Sequence, residues 1–245
     1  MRFPDTPLVL LHAFPLDHRM WDGVRAGIAE HTTELITPDQ RGFGATALGD
    51  DEPDLATVAT DVIDSLDGRR VVLGGCSMGG YVAMAVLREA PELVAGLVLV
   101  STRATADTDA GRANRHAMAS RIDEEGPGFV PDTVLPTLLG TESHDRRPDV
   151  TEEVRALVAD QDGATIAWAQ RAMAARPDSS EVLRDTEVPT LILRGEQDAL
   201  IPQDEAEALA ALMPKAEVVV LAGAGHLPSL EVPEEFTGAV ARWLE

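Results

Sequence analysis

Short apolar runs of strand length recur along the chain at Leu8–Leu11, Glu34–Thr37, Arg70–Gly74, Leu93–Ser101, Pro189–Arg194 and Glu217–Leu221, with helical stretches between them. Strands alternating with crossover helices predict a parallel sheet. Several of the runs are apolar throughout rather than at every second position, the pattern of strands covered on both faces. Ligands bind such sheets at the carboxyl ends of the strands. The residues just after each run are therefore the place to look for chemistry.

Between about residues 103 and 186 the strand pattern stops. Ala106–Glu125, Pro131–Leu139, Thr151–Ala159 and Ala164–Ala175 read as helices, punctuated by Pro127, Pro136, Pro148 and Pro177. Thr151 followed by Glu152 and Glu153 looks like a capped, acidic first turn. The expected organisation is a core of residues 1–102 and 187–245, interrupted by a helical cap insertion at 103–186. The alternative is that these helices simply cover the outside of the sheet.

A chain of 245 residues can bury a full-sized core in one domain. Its formal net charge of -22 repels phosphates and anionic lipid heads, which argues against nucleic-acid and membrane partners; solubility or salt tolerance is the simpler reading. There is no apolar run of membrane-spanning length, and MRFPDTPLVLLHAF has one arginine and no small-residue cleavage site, so a soluble, cytoplasmic protein is expected. Cys76 is the single cysteine, which precludes an intramolecular disulfide and leaves a cysteine metal site unsupported.

The strongest local signal is Gly75-Cys76-Ser77-Met78-Gly79, placed between an apolar strand and an apolar helix. Serine at the apex of a tight strand-to-helix turn needs small residues two positions to either side. Gly75 and Gly79 are centred on Ser77, not on Cys76, so the thiol should point into the core. A serine hydroxyl needs a base within reach, and that base needs an acid to fix its tautomer. His226, in Leu221-Ala-Gly-Ala-Gly-His, follows the last strand; Asp198, in Leu193-Arg-Gly-Glu-Gln-Asp, follows the one before. Glu196 is the competing acid, and Asp198 has an alternative use as a helix cap. The order Ser, Asp, His is that of α/β-hydrolases. The backbone amides of Phe14, after the first strand, and of Met78 are the candidate oxyanion donors. His12, Trp21, Leu138 and Trp168 are candidate pocket residues, with core packing as the alternative for each; for His12 the preferred reading is a buried, hydrogen-bonded anchor of its loop, the chemistry being left to the neighbouring amide.

The segments HAFPLDHRMW, DQRGFGAT, GCSMGG, LRGEQDALIP and GAGHLPSLEVPEEF resemble the α/β-hydrolase superfamily over nearly the whole chain. The similarity points to the branch of 3-oxoadipate enol-lactonases and non-haem haloperoxidase-like esterases. It implies an α/β-hydrolase fold, a Ser77–Asp198–His226 triad, an oxyanion hole at Phe14 and Met78, and a structural turn at Asp39 and Arg41. Ala13 stands where the family usually has glycine. With seven residues ahead of the first core strand, the N-terminal antiparallel hairpin is expected to be missing, leaving about six mostly parallel strands.

The expected function is hydrolysis of a small carboxylic ester or lactone, enol-lactones among them, through an acyl-Ser77 intermediate. Neither metal nor organic cofactor is called for. The expected partner is a small-molecule substrate, and the chain a monomer or homodimer. Arginines in or beside the insertion, among them Arg103, Arg112, Arg115, Arg121, Arg171 and Arg176, are candidates for binding a substrate carboxylate or simply for pairing with neighbouring acids. Carbon–carbon bond hydrolysis on the same triad and a ligand-sensing role with little turnover are the competing functions.

Overall fold

A computed structural model describes all residues except Met1, Pro4 and Pro214. Six strands form one sheet among the described residues: β1 (Leu8–Leu11), β2 (Leu35–Ile36), β3 (Val71–Cys76), β4 (Val94–Val100), β5 (Thr190–Gly195) and β6 (Glu217–Leu221). Their order is β2-β1-β3-β4-β5-β6 and every pairing is parallel, as the apolar runs imply. The helices are α1 (Asp22–Ala29), α2 (Leu55–Leu66), α3 (Met78–Glu89), α4 (Asp109–Glu125), α5 (Val130–Leu138), α6 (Thr141–Arg146), α7 (Pro148–Ala159), α8 (Gly163–Ala175), α9 (Ser180–Arg184), α10 (Gln203–Leu212), α11 (Pro228–Glu231) and α12 (Pro233–Leu244). None is long and apolar enough to cross a membrane among the described residues.

Alternate strand residues supply the two faces. Leu8, Leu10, Val72, Val98, Leu191 and Leu193 pack with Val24 and Ile28 of α1 and with Phe236, Val240 and Trp243 of α12. Val9, Leu11, Leu73, Leu97, Leu99 and Ile192 face Val58 and Val62 of α2, Val82 and Val86 of α3, Leu183 of α9 and Leu209 of α10. Burial on both faces is why these strands lack polar alternation. The exception is the edge strand β6, where Val218 and Val220 remain about half exposed. The strand order reverses between β1 and β3, so the crevice above their carboxyl ends is the topological switch point.

Helices α4 to α8 lie between β4 and β5, with α4 packed on α8 and both α5 and α6 on α7. The third predicted helix begins earlier than its sequence suggests. It starts at Pro148, which suits the first helical position, and the Thr151 hydroxyl donates to the Arg147 carbonyl from within the first turn instead of capping it. The short α6 was not foreseen.

Buried Asp17 ties the loop after β1 to this inserted layer. Its carboxylate accepts from Arg19 Nη2 at 2.6 Å and Nε at 2.9 Å, and from Gln161 Nε2 at 2.8 Å in the α7–α8 turn; Arg19 also reaches Asp160 at 2.9 Å. Burial would raise the Asp17 carboxyl, but the Arg19 guanidinium and amide and the Gln161 amide outweigh it and hold it at about 2, against an ordinary 3.8. Because the folded value is the lower one, the stabilisation is complete above pH 4 and is lost as pH falls through about 2; the difference corresponds to about 2 kcal/mol. Urea titrations should show Asp17→Asn less stable than wild type by about 2 kcal/mol at pH 7, with the gap closing between about pH 4 and pH 2.

Candidate active site

Ser77 sits at the β3–α3 turn with φ 53° and ψ −110°, a backbone conformation that L-residues rarely adopt. The strain is held in place on every side. The Ser77 amide donates to the Val100 carbonyl at 2.9 Å, and its carbonyl accepts from the amides of Gly80 at 3.0 Å and Tyr81 at 3.2 Å and from the Thr102 hydroxyl at 2.9 Å. A Cβ on Gly75 would lie 2.1 Å from the Gly79 carbonyl carbon, and one on Gly79 would lie 2.2 Å from the Leu11 carbonyl oxygen. Both contacts are with backbone, which explains the two glycines of the motif.

The loops after β5 and β6 bring Asp198 and His226 together. His226 Nδ1 is 3.0 Å from each Asp198 carboxylate oxygen, and both side chains are almost completely buried. The amides of Leu200 and Ile201 donate to Asp198 Oδ1 at 2.9 Å each, so the residue fixes its own loop as well as facing the imidazole; it does not cap α10, whose N-cap is Pro202. Burial pushes the Asp198 carboxyl up, but the His226 imidazole, the Ile201 amide and Ser101 outweigh it and keep it below the usual carboxylate range. An ionised acceptor at Nδ1 places the imidazole proton there and leaves Nε2 with a lone pair. Nε2 is buried and has no hydrogen-bond partner among the described residues. Glu196, the competing acid, is exposed and accepts instead from the Gly223 amide at 3.3 Å. Cys76 is fully buried with its Sγ 3.6 Å from the His226 carbonyl, and burial, with Asp198 and Glu231, drives its thiol well above the ordinary value.

Phe14 follows β1 as expected. Its amide and that of Met78, in the first turn of α3 where no intrahelical acceptor exists, donate no hydrogen bond among the described residues. Ala13 is not in the left-handed region, so its replacement of glycine brings no backbone strain. Its amide points to Met20 Sδ at 3.1 Å.

One cavity of about 180 Å3 is lined by Ser77, His226 and Phe14 together with Leu138 and Val134 of α5, Met173 of α8, and Leu200 and Ile201 beside Asp198. Its polar lining includes Arg103, Arg115, Thr137 and Gln170, with no acid among the residues that form it. Of the four expected pocket residues, only Leu138 is on this cavity. His12 lies beneath it: its Nε2 accepts from the Gln40 amide at 2.9 Å, its Nδ1 faces the Ala13 carbonyl at 3.1 Å, and burial lowers its pKa to about 4. Trp21 packs on Phe236 in the core, with ring centroids 5.9 Å apart. Trp168 turns toward the α2 side of the core and donates its Nε1 to the Asp51 carbonyl at 2.8 Å. Large aromatic surfaces are better buried in these layers than left on a small cavity.

Asp39 and Arg41 build the turn after β2. Asp39 accepts from the His18 amide at 2.9 Å, His18 Nδ1 at 2.7 Å and the Ala45 amide at 3.1 Å, while Arg41 spans Asp51 and Asp61. Asp17, His18 and Asp39 come within metal-ligand spacing of one another, but each already carries these structural bonds. Two residues near the site escaped sequence reasoning: Gln170, hidden in an alanine-rich helix, and the buried acid Glu231, which no local pattern distinguishes from the exposed glutamates around it.

This chain belongs to the alpha/beta hydrolase family, whose model matches residues 8–239. A thermophilic esterase from Thermogutta terrifontis, in a malate-bound structure, superposes with a TM-score of 0.94 at 37% identity, over 98% of this chain and 89% of that one. The enol-lactonase of Burkholderia xenovorans LB400 shares the fold with a TM-score of 0.87 at 23% identity, over 99% of this chain and 92% of that one. The dihydrolipoyllysine-residue acetyltransferase component of the acetoin cleaving system of Pseudomonas putida is 29% identical over 243 residues, 94% of this chain; this chain spans only 61% of that protein's length.

The close backbone packing at the turn has a direct test. Gly79→Ala is expected to lower unfolding free energy by about 3 kcal/mol or to prevent folding, because its Cβ would meet the fixed Leu11 carbonyl. A urea midpoint equal to wild type would show that the turn is not held as described.

Proposed function

We propose that the chain is a serine hydrolase of small carboxylic esters or lactones, with Ser77 as nucleophile, His226 as general base and Asp198 as the acid that orients it. The observation that carries this reading is the His226–Asp198 pair with an unengaged Nε2, on the cavity that also holds strained Ser77. In the reaction, Ser77 Oγ attacks the carbonyl carbon as His226 Nε2 takes the hydroxyl proton. The amides of Phe14 and Met78 donate to the developing oxyanion, each such donor contributing about 3 kcal/mol. Collapse breaks the bond to the alkoxide, which takes its proton from His226, and leaves an acyl-Ser77. His226 then draws a proton from water, whose oxygen attacks the acyl carbon; collapse breaks the bond to Ser77 Oγ, which takes that proton back from His226, and the acid is released. In a lactone the leaving alkoxide stays attached to the product.

A cavity of about 180 Å3 is small beside drug-sized pockets and suits a short acyl group or a small ring. Helices α4 to α8 act as its cap: α5 and α8 supply apolar wall, and Arg115 comes from α4. Arg103 and Arg115 favour a substrate that carries a carboxylate. Arg115 is held in place by Asp107 at 2.5 Å and Gln170 at 3.1 Å; Arg103 is held by Glu205 at 3.4 Å and the Leu200 carbonyl at 2.6 Å, while its buried Nε has no acceptor among the described residues. Malate, bound to the Thermogutta terrifontis esterase, is itself a small dicarboxylate.

Wild type is expected to hydrolyse short p-nitrophenyl esters with multiple turnovers and to be labelled at Ser77 by a serine-directed phosphonate, with Ser77→Ala losing both. Turnover that survives in Ser77→Ala would sink the assignment, and one slow event per molecule would mark a sensor. Arg115→Gln is expected to cut the preference for a monoanionic ester over a neutral ester of the same length by about tenfold. Comparing kcat/KM for the two esters reads it directly; an unchanged ratio would remove Arg115 from substrate binding.

A further inference from the structure

The mechanism above leaves one buried acid beside it unused. Glu231 ends α11, five residues after His226, and is 3% exposed. Its Oε1 accepts from the amides of Gly225 at 2.9 Å and Leu227 at 3.1 Å, the two residues that flank His226. Its Oε2 accepts from the Gly140 amide and the Ser143 hydroxyl, both at 2.7 Å, at the turn from α5 into α6. No Lys, Arg or His side chain pairs with this carboxylate among the described residues; four neutral donors fill its four acceptor sites. A buried charge without a counter-ion is costly unless its hydrogen bonds are complete. The donors are therefore held as firmly as the acid.

Neighbouring contacts make the same junction. The His226 amide donates to the Leu138 carbonyl at 3.2 Å, and a Cβ on Gly225 would lie 2.2 Å from the Gly140 nitrogen. Gln197, beside Asp198, accepts from the Thr141 hydroxyl at 2.9 Å and the Glu142 amide at 3.1 Å. The turn into α6 thus grips both the loop of the base and the loop of the acid.

We propose that Glu231 is a positioning residue for His226, its carboxylate clamping the loop of the base to the α5–α6 turn so that Nε2 stays directed at the Ser77 cavity. The inference rests on the serine-hydrolase reading. The charge of Glu231 is felt at this loop, since it contributes to raising the Cys76 thiol that touches the His226 carbonyl. The other titratable or charged groups around the imidazole are Asp198, Cys76 and, across the cavity, Tyr81, Arg103 and Arg115.

Glu231→Gln keeps the size of the side chain but turns one acceptor into a donor facing N–H or O–H groups. For a short p-nitrophenyl ester, kcat is expected to fall about 10- to 100-fold with KM within about twofold, and phosphonate labelling of Ser77 to slow in step. A purely structural role would lower Tm and leave kcat unchanged in the folded enzyme, and such a result overturns the proposal. Where Glu231→Gln does not fold, Ser143→Ala removes one of the four donors; kcat about threefold lower at constant KM supports the clamp, and wild-type kcat overturns it. A wild type that is not labelled at Ser77 overturns the hydrolase reading and this inference with it. A labelled wild type with an equally reactive Glu231→Gln overturns the inference alone.

Discussion

At Gly79 the backbone of α3 passes so close to the Leu11 carbonyl that even a methyl group is excluded. This contact sets the geometry of the whole face. It holds the start of α3 against the end of β1, two residues from strained Ser77, so that Ser77 and Phe14 come to line one cavity. The strain is stable because hydrogen bonds from β4 and from Thr102 close around it, and because the sheet beneath is apolar on both faces. Parallel strands align their carboxyl ends, so residues that are remote in sequence meet without any dedicated connection.

Above that plane the organisation depends on buried carboxylates, which suits a chain of net charge -22 with few cations to spend on its interior. Asp17 joins the loop after β1 to the α7–α8 turn through Arg19 and Gln161. Glu231 joins the loop after β6 to the α5–α6 turn through neutral donors. Asp107 holds Arg115 and Arg176 in place inside the insertion, and the guanidinium of Arg176 stacks over Tyr81 at 4.0 Å. Each acid is fully partnered, and each connects elements that are far apart in sequence.

Much of this was legible in the residues themselves. Apolar runs, several without alternation, located the six strands, and the glycines around Ser77 together with loop-borne His226 and Asp198 pointed to three residues that meet on one face, because both signals are local. Legibility failed where a residue's surroundings come from another part of the chain. Trp21 and Trp168 were plausible pocket walls until packing claimed them for the core, and Thr151 had the chemistry of a cap while Pro148 had the better position. His12 was ambiguous because a histidine after a strand looks the same whether it faces a ligand or, as here, Gln40. Glu231 sits in a run of surface-like acids, and its burial depends on amides from two distant loops.

The divided support of Ser77 and His226 bears on how such a molecule can change over evolutionary time. Ser77 is set by the sheet and by Thr102 just after β4, and none of its backbone hydrogen bonds comes from α4 to α8. His226 is not so independent, because Gly140 and Ser143 of the insertion share its anchor. The inserted helices are therefore not an interchangeable module. A new insertion could bring new walls to the cavity, but it would also have to bring an amide and a hydroxyl to the same place to hold the loop of His226.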